Sequence, residues 1–349
     1  MRLSPLRVSL FGYFDGFKTD SRACLPETGQ QAEIPRRRAH RQGPDKPEGS
    51  DRKERSLIMI HTLKSDSLTV QVHEKGAQLW SIRTEDGTEY LWQGDPRYWA
   101  DRALNLFPQI GLCTDDTYTL HGKAYKMDIH GFLKDTVLKV DREDGNHLVL
   151  FCEDTEESRA IYPFRFRYSI AYTLEHQTLH ITICVDNHDQ QEMYFAVGGH
   201  PGFNLPLEEG LAYEDYYLQF PAGSTAKRAE CTAGDCIMLG EVTDYPLVQD
   251  RIPLSHQLFA DRVLVLTEMP RQVTLKADRG HKQVTVTYPD MKYLGVWKCL
   301  GTEAPYVCIE PWTGVSARKG VVEAYESQPD MIHLAPGGHY ENHWSIQIV

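Results

Sequence analysis

From Leu68 onward, apolar and polar residues alternate with a period of two through most of this chain, and that leaves little room for any class but β. Phe164-Arg165-Phe166-Arg167-Tyr168-Ser169-Ile170-Ala171-Tyr172 alternates without a break, and residues 179–185 do so again. Successive strand side chains point to opposite faces, so such a run builds one apolar face and one polar face. Similar runs lie at 68–72, 76–83, 147–152, 263–266, 273–275, 283–288, 294–297 and 343–349, and Asp86-Gly87 marks a hairpin. Their spacing of roughly ten residues, with Gly, Asp and Pro turns between them, predicts an all-β sandwich. No Pro/Ser linker divides the strands and no repeat is visible, so one large antiparallel sandwich is expected rather than two domains or a propeller. Helical periodicity is confined to a turn or two at 320–325.

The first 58 residues break this pattern. They carry 12 Lys and Arg against 8 Asp and Glu, whereas the remainder carries 25 against 41. From Pro35 to Arg55 there are almost no aliphatic residues, so little apolar burial is available to offset the entropy of ordering. Residues 1–58 are therefore expected to be a disordered leader, with Met59 a candidate start of the native protein, and 59–349 the folded domain. The Arg-rich run has a second reading as a nucleic-acid or sorting patch.

An acidic body opposes nucleic-acid binding, which needs a basic surface, and suits a small neutral ligand. No apolar run is long enough to span a membrane, and residues 1–10 lack the continuous apolar core of a secretory signal. Of the eight cysteines none forms a C-x-x-C pair, and Cys231 and Cys236 have neither the spacing nor the partners of a zinc knuckle. Cys152, Cys184, Cys299 and Cys308 sit in apolar runs and read as buried free thiols in a reducing compartment. A cytoplasmic protein, monomeric or homodimeric, without membrane or nucleic-acid partners, is expected.

Four stretches could carry chemistry. In 304–315, Glu310 ends an apolar strand and is boxed by Pro311 and Trp312. Burial there would raise its pKa toward the range useful for proton transfer; by itself, the stretch reads first as a strand ending at the surface in a solvated Glu, and the histidine segments below shift the reading to the buried carboxylate. Val197-Gly198-Gly199-His200-Pro201-Gly202-Phe203 fixes an unusual backbone that presents a histidine, and Asp128-Ile129-His130-Gly131-Phe132 presents another on a tight turn. Arg102 and Asn105 lie among aromatic residues in 98–108, a mix suited to sugar hydroxyls and CH faces, or to a surface Arg covering apolar side chains. No nucleophile elbow, glycine-rich phosphate loop or metal-ligand His spacing is present, so neither cofactor nor metal is expected. A Glu base and a His acid suit a reaction that only moves protons.

These residues resemble the aldose 1-epimerase (galactose mutarotase-like) family, and within it the LacX-type branch. The resemblance covers about 68–349. It rests on Tyr90-Leu91-Trp92-Gln93-Gly94-Asp95-Pro96, Asn105-Leu106-Phe107-Pro108, His130-Gly131-Phe132, Gly198-Gly199-His200-Pro201-Gly202-Phe203-Asn204-Leu205 and Ile309-Glu310-Pro311-Trp312-Thr313-Gly314, and on the tail from Leu334-Ala335-Pro336-Gly337 into Trp344-Ser345-Ile346. It implies a large antiparallel β supersandwich with an open carbohydrate-binding cleft, and a mutarotase that interconverts the α and β anomers of a hexose without a cofactor. By the same resemblance Glu310 is the general base at the C1 hydroxyl and His200 the general acid at the ring oxygen. His130, Arg102, Asn105 and Asp261 are then substrate-binding residues. Leu112 and Lys134 stand where LacX-like chains often carry Arg, a change that bears on substrate choice. A non-catalytic carbohydrate-binding protein and a hexose-6-phosphate 1-epimerase are the alternatives.

Overall fold

Two large antiparallel sheets hold most of the strands in residues 58–349, the part of the chain that the computed structural model describes. The expected leader, Ile58 apart, lies outside the described residues. One sheet has nine strands, in the order Arg251–Pro253, Tyr216–Gln219, Gln272–Ala277, Val284–Thr287, His339–Ile348, Thr178–Asn187, Phe166–Glu175, His147–Glu153 and Lys139–Asp144. The other has seven, in the order Met238–Tyr245, Ala226–Cys231, Leu264–Thr267, Tyr293–Trp297, Tyr306–Trp312, Gly198–Asn204 and Ala103–Leu106. A three-stranded sheet (Ile60–Lys64, Leu68–His73, Gln78–Thr84) and two hairpin-sized sheets complete the architecture, a large antiparallel β supersandwich.

The alternation in sequence becomes burial in the fold. Phe166–Glu175 buries every second residue, and Thr178–Asn187 beside it does the same in register. Between the large sheets the inner faces interdigitate. The Phe107 ring lies 5.3 Å from Phe166 and 5.1 Å from Tyr168, and a Cβ on Gly199 would lie 2.6 Å from the Trp344 indole. Gly199 is small because a tryptophan of the opposite sheet fills its place. By contrast Tyr306–Trp312 is buried along its whole length, so both of its faces are covered. That is the pattern of a central strand, not of one ending at the surface.

Three expectations need correction. The turn expected at 320–325 is a single 3₁₀ turn at Tyr325–Ser327. A short helix at Glu156–Ile161, opened by a Thr155/Ser158 capping box, was not foreseen, since six residues are too few for a helical period to show. Cys152, Cys184 and Cys308 are free, but Cys299 is disulfide-bonded. Apolar neighbours signal burial, which Cys299 has, and say nothing about oxidation state. No helix among the described residues is long and apolar enough to cross a membrane.

Asn105 shows how the sheets are tied. It pairs with Gly199 and so faces the interior, away from His200. Its amide nitrogen lies 3.0 Å from the Gly76 carbonyl, 2.9 Å from the Ala77 carbonyl and 3.0 Å from the Tyr172 hydroxyl, and that hydroxyl donates to the Ala77 carbonyl at 2.6 Å. One amide thus joins the seven-stranded sheet, the nine-stranded sheet and the turn that opens Gln78–Thr84. The expected sugar-binding role for Asn105 does not fit this placement. Replacing Asn105 with Ala strands these acceptors in the core, and urea denaturation is expected to show a loss of about 1–3 kcal/mol.

Candidate functional site

The site forms where three neighbouring strands of the seven-stranded sheet meet. Tyr306–Trp312 lies between Tyr293–Trp297 and Gly198–Asn204. Gly198 pairs with Trp312 and Gly202 with Cys308, which sets His200, midway between them, opposite Glu310. His200 Nε2 and Glu310 Oε2 are 3.1 Å apart. Both residues are nearly sealed, with relative exposures of 6% and 1%. Their other polar atoms, His200 Nδ1 and Glu310 Oε1, are buried without a hydrogen-bond partner among the described residues.

Small residues around the pair make room for large ones. A Cβ on Gly198 would lie 2.7 Å from the Trp312 indole, and one on Gly295 would strike the same ring. The indole therefore lies across both neighbouring strands beside Glu310. A Cβ on Gly202 would lie 3.1 Å from Trp92 and 3.2 Å from Trp99. Above His200 stand the half-buried rings of Trp99, at 4.7 Å, and Trp297, at 5.4 Å and edge-on. Trp99 is held by its carbonyl, which accepts from the Trp92 indole N–H at 2.8 Å. Aromatic rings thus stand over the His200–Glu310 pair and nearly seal it. After the strand, Thr313 clamps it to the His200 side: its hydroxyl accepts from the Val197 N–H at 2.9 Å and donates to the Val197 carbonyl at 3.1 Å.

His130 completes the group, its ring 5.5 Å from that of His200 and nearly perpendicular to it. It adopts a left-handed backbone with φ of 63°, followed by Gly131 at 76°. A Cβ on Gly131 would run into the Phe107 carbonyl, so the glycine allows a close approach to this backbone rather than to a ligand. The His130 N–H donates to the Gly111 carbonyl at 2.9 Å, and the Gly111 N–H donates to His130 Nδ1 at 3.0 Å. Because Nδ1 accepts, the neutral ring carries its proton on Nε2 and offers a donor.

Burial drives the titrations. The Glu310 carboxyl is raised well above its ordinary value by burial, offset in part by a Trp312 indole N–H that lies near it without completing a hydrogen bond. His200 is held well below the usual imidazole value by burial first and by its electrostatic coupling to the neighbouring His130 second. His130 is half-buried as a residue, but its ring stands among packed atoms; burial, and then Lys134, push it down to about 3. Glu310 and His200 thus rest as a carboxylic acid and a neutral imidazole sharing one proton across their contact.

The remaining expected residues lie apart from this group. Arg102 shares a face with His200 but sits at the rim, donating to the Trp80 carbonyl and to Gln93 Oε1, each at 2.6 Å, with its guanidinium 3.8 Å from the Trp80 ring. Asp261 is exposed and paired with its neighbour Arg262 at 2.9 Å. Lys134 is bound to Asp128 at 3.1 Å and Asp135 at 2.9 Å. Two neighbours escaped sequence reasoning. Cys308 lies two residues before Glu310 and therefore on the same face, a spacing that would have revealed it; its sulfur and the ligating atoms of His200 and Glu310 all lie within 4.8 Å of one another, so these three are the buried group with donors for a cation. Trp297 pairs with Cys308 across the strands, which no local pattern announces.

Comparison with known proteins identifies the family and the fold. The family model for aldose 1-epimerase matches residues 59–347. The chromosomal form of protein LacX from Lactococcus lactis subsp. lactis is 29% identical over 286 residues, covering 80% of this chain and 95% of that protein. A galactose mutarotase related enzyme from Lactobacillus acidophilus superposes with a TM-score of 0.79 at 31% identity, covering 83% of this chain and 97% of the other. A galactose mutarotase-like protein from Lactobacillus casei gives the same TM-score at 27% identity, over 83% of this chain and all (100%) of the other. The chain belongs to the aldose 1-epimerase family, in its LacX branch.

Proposed function

We propose that this protein is an aldose 1-epimerase that interconverts the α and β anomers of a free hexose, with Glu310 as base and His200 as acid. The observation that carries the reading is the 3.1 Å contact between two buried, oppositely shifted titratable groups. Opening a cyclic hexose requires a proton to leave the C1 hydroxyl and another to reach the ring oxygen. The resting pair already holds the single proton this exchange needs. Moving it from Glu310 to His200 gives a carboxylate base and an imidazolium acid with no change in proton count. Glu310 then takes the O1 proton while His200 protonates the ring oxygen. The C1 aldehyde rotates, and the same two transfers in reverse close the ring on its other face. His130, donating from Nε2, can hydrogen-bond an oxygen beside the reacting centre without itself becoming an acid.

The proton tally fixes the sign of the pH response. A second proton on the pair at low pH removes the base, and loss of the shared proton at high pH removes the acid. Turnover is therefore expected to follow a bell. The acid limb lies below the ordinary imidazole value of 6.5, and the alkaline limb lies above the ordinary carboxyl value of 4.5. Polarimetry of freshly dissolved α-anomer across pH checks both limbs. Glu310→Gln and His200→Asn are each expected to lose at least about 10²-fold in turnover. Near-normal anomer exchange by either variant would sink the assignment, and sugar binding without accelerated exchange by the unaltered protein would leave a carbohydrate-binding protein.

The site favours an unphosphorylated sugar. Lys134 is committed to two carboxylates, Arg102 to Trp80 and Gln93, and Leu112 supplies no charge. NMR exchange over free hexoses and their 6-phosphates is expected to show faster exchange of the free sugars.

A further inference from the structure

The hairpin that joins Ala226–Cys231 to Met238–Tyr245 lies at one edge of the seven-stranded sheet and brings two thiols together. Cys231 Sγ and Cys236 Sγ are 3.0 Å apart, closer than unbonded sulfurs ordinarily pack. We propose that Cys231 and Cys236 are a redox modification site, closing into a reversible intramolecular disulfide by exchange with a small disulfide of the glutathione class.

The turn is built to hold them. Cys236 has a left-handed backbone with φ of 53°, which directs its side chain back toward Cys231. The Thr232 N–H donates to the Ile237 carbonyl at 2.9 Å, the Ile237 N–H donates to Thr232 Oγ1 at 2.9 Å, and the Gly234 N–H donates to the Asp261 carbonyl at 2.7 Å. A disulfide requires sulfurs about 2.05 Å apart, so closure needs roughly 1 Å of approach within a turn that is already formed. The enclosed loop is short, so the bond constrains little unfolded chain and is set for ready reduction rather than as a structural staple.

The thiols have unequal access. Cys231 is 2% exposed, while Cys236 is half-buried and so meets an oxidant first. In the resting pair Cys236 donates to Cys231, and that hydrogen bond and then burial hold its thiol well above the ordinary value; passing the proton to Cys231 frees the Cys236 thiolate, which attacks the glutathione disulfide, forming a mixed disulfide and releasing one glutathione thiolate. The Cys231 thiolate then attacks the Cys236 sulfur, closes the ring and releases the second. The protein dithiol loses two electrons, the glutathione disulfide gains them, and the two thiol protons pass to the departing thiolates. The Cys231 thiol is held below its ordinary value first by the hydrogen bond from Cys236 and then, against burial, by Arg228 and Arg262; once Cys236 is in the mixed disulfide, the two arginines still favour the thiolate that the second step needs.

The test is made on the full chain in mixtures of oxidised and reduced glutathione, quenched by acid, alkylated, digested and mapped by mass spectrometry. The expected product is a peptide carrying Cys231 and Cys236, lighter by two hydrogens and restored by excess reduced glutathione. Cys231→Ser is expected to stop at the mixed disulfide on Cys236. Cys236→Ser is expected to slow modification at least about tenfold, because Cys231 is buried. Two free thiols at 231 and 236 in the unaltered protein, under conditions that oxidise a reference dithiol peptide, would overturn the proposal. So would a mixed disulfide that never closes.

Discussion

A carboxyl group can stand in the middle of a sheet only where the neighbouring strands vacate space and supply a partner. Here the Glu310 strand meets both conditions through register. Gly295 pairs with Glu310 on one side, and His200 stands opposite it on the other, flanked by Gly198 and Gly202. The missing side chains are occupied by indoles: Trp312 lies across Gly198 and Gly295, and Trp99 and Trp92 crowd Gly202. A shift of one residue between these strands would send Glu310 to the opposite face from His200 and put side chains where the tryptophans now sit. The geometry of the His200–Glu310 pair and the packing of the sheet are thus one constraint.

The pair's surroundings then set its chemistry. Water is displaced by rings, and the loss of hydration moves Glu310 up and His200 down. An isolated buried charge would be costly, but a pair that holds one proton in common has no net charge to bury in its resting form. His130 adds a donor whose direction is decided one layer further out, by the Gly111 N–H that occupies Nδ1.

Much of this was legible from the chain. The period-two runs predicted the sandwich, and the glycine-rich segments around His200 and His130 marked the stretches that converge. At His130 the reason is an unusual, left-handed backbone; at His200 the backbone is an ordinary strand, not the unusual one expected, and Gly198, Gly199 and Gly202 are small because tryptophans fill their places. What escaped depends on pairing between distant segments. Asn105 looked like a sugar ligand among aromatics. Its neighbour Leu104 pairs with His200 and faces the site, so Asn105 faces the core, and only the strand register reveals that. Trp297 is invisible for the same reason, and Cys308 was seen as an inert thiol although its spacing from Glu310 placed it on the site. Arg102 and Asp261 carry suitable groups, but Asp261 is paired with Arg262 and one guanidinium nitrogen of Arg102 is taken up by Trp80 and Gln93. Residue type announces what a side chain can do, and its neighbours decide whether it is free to do it.

The proposed acid and base, His200 and Glu310, come from adjacent strands rather than from loops. Their separation is therefore governed by the spacing of strands in a sheet, about 4.8 Å, and not by loop conformation. Exchanging a loop such as the one bearing Trp99 alters how the pair is buried but not the register that sets its two members side by side. In the proposed mutarotase, such a scaffold separates the evolution of sugar preference, at the rim, from that of the pair beneath it.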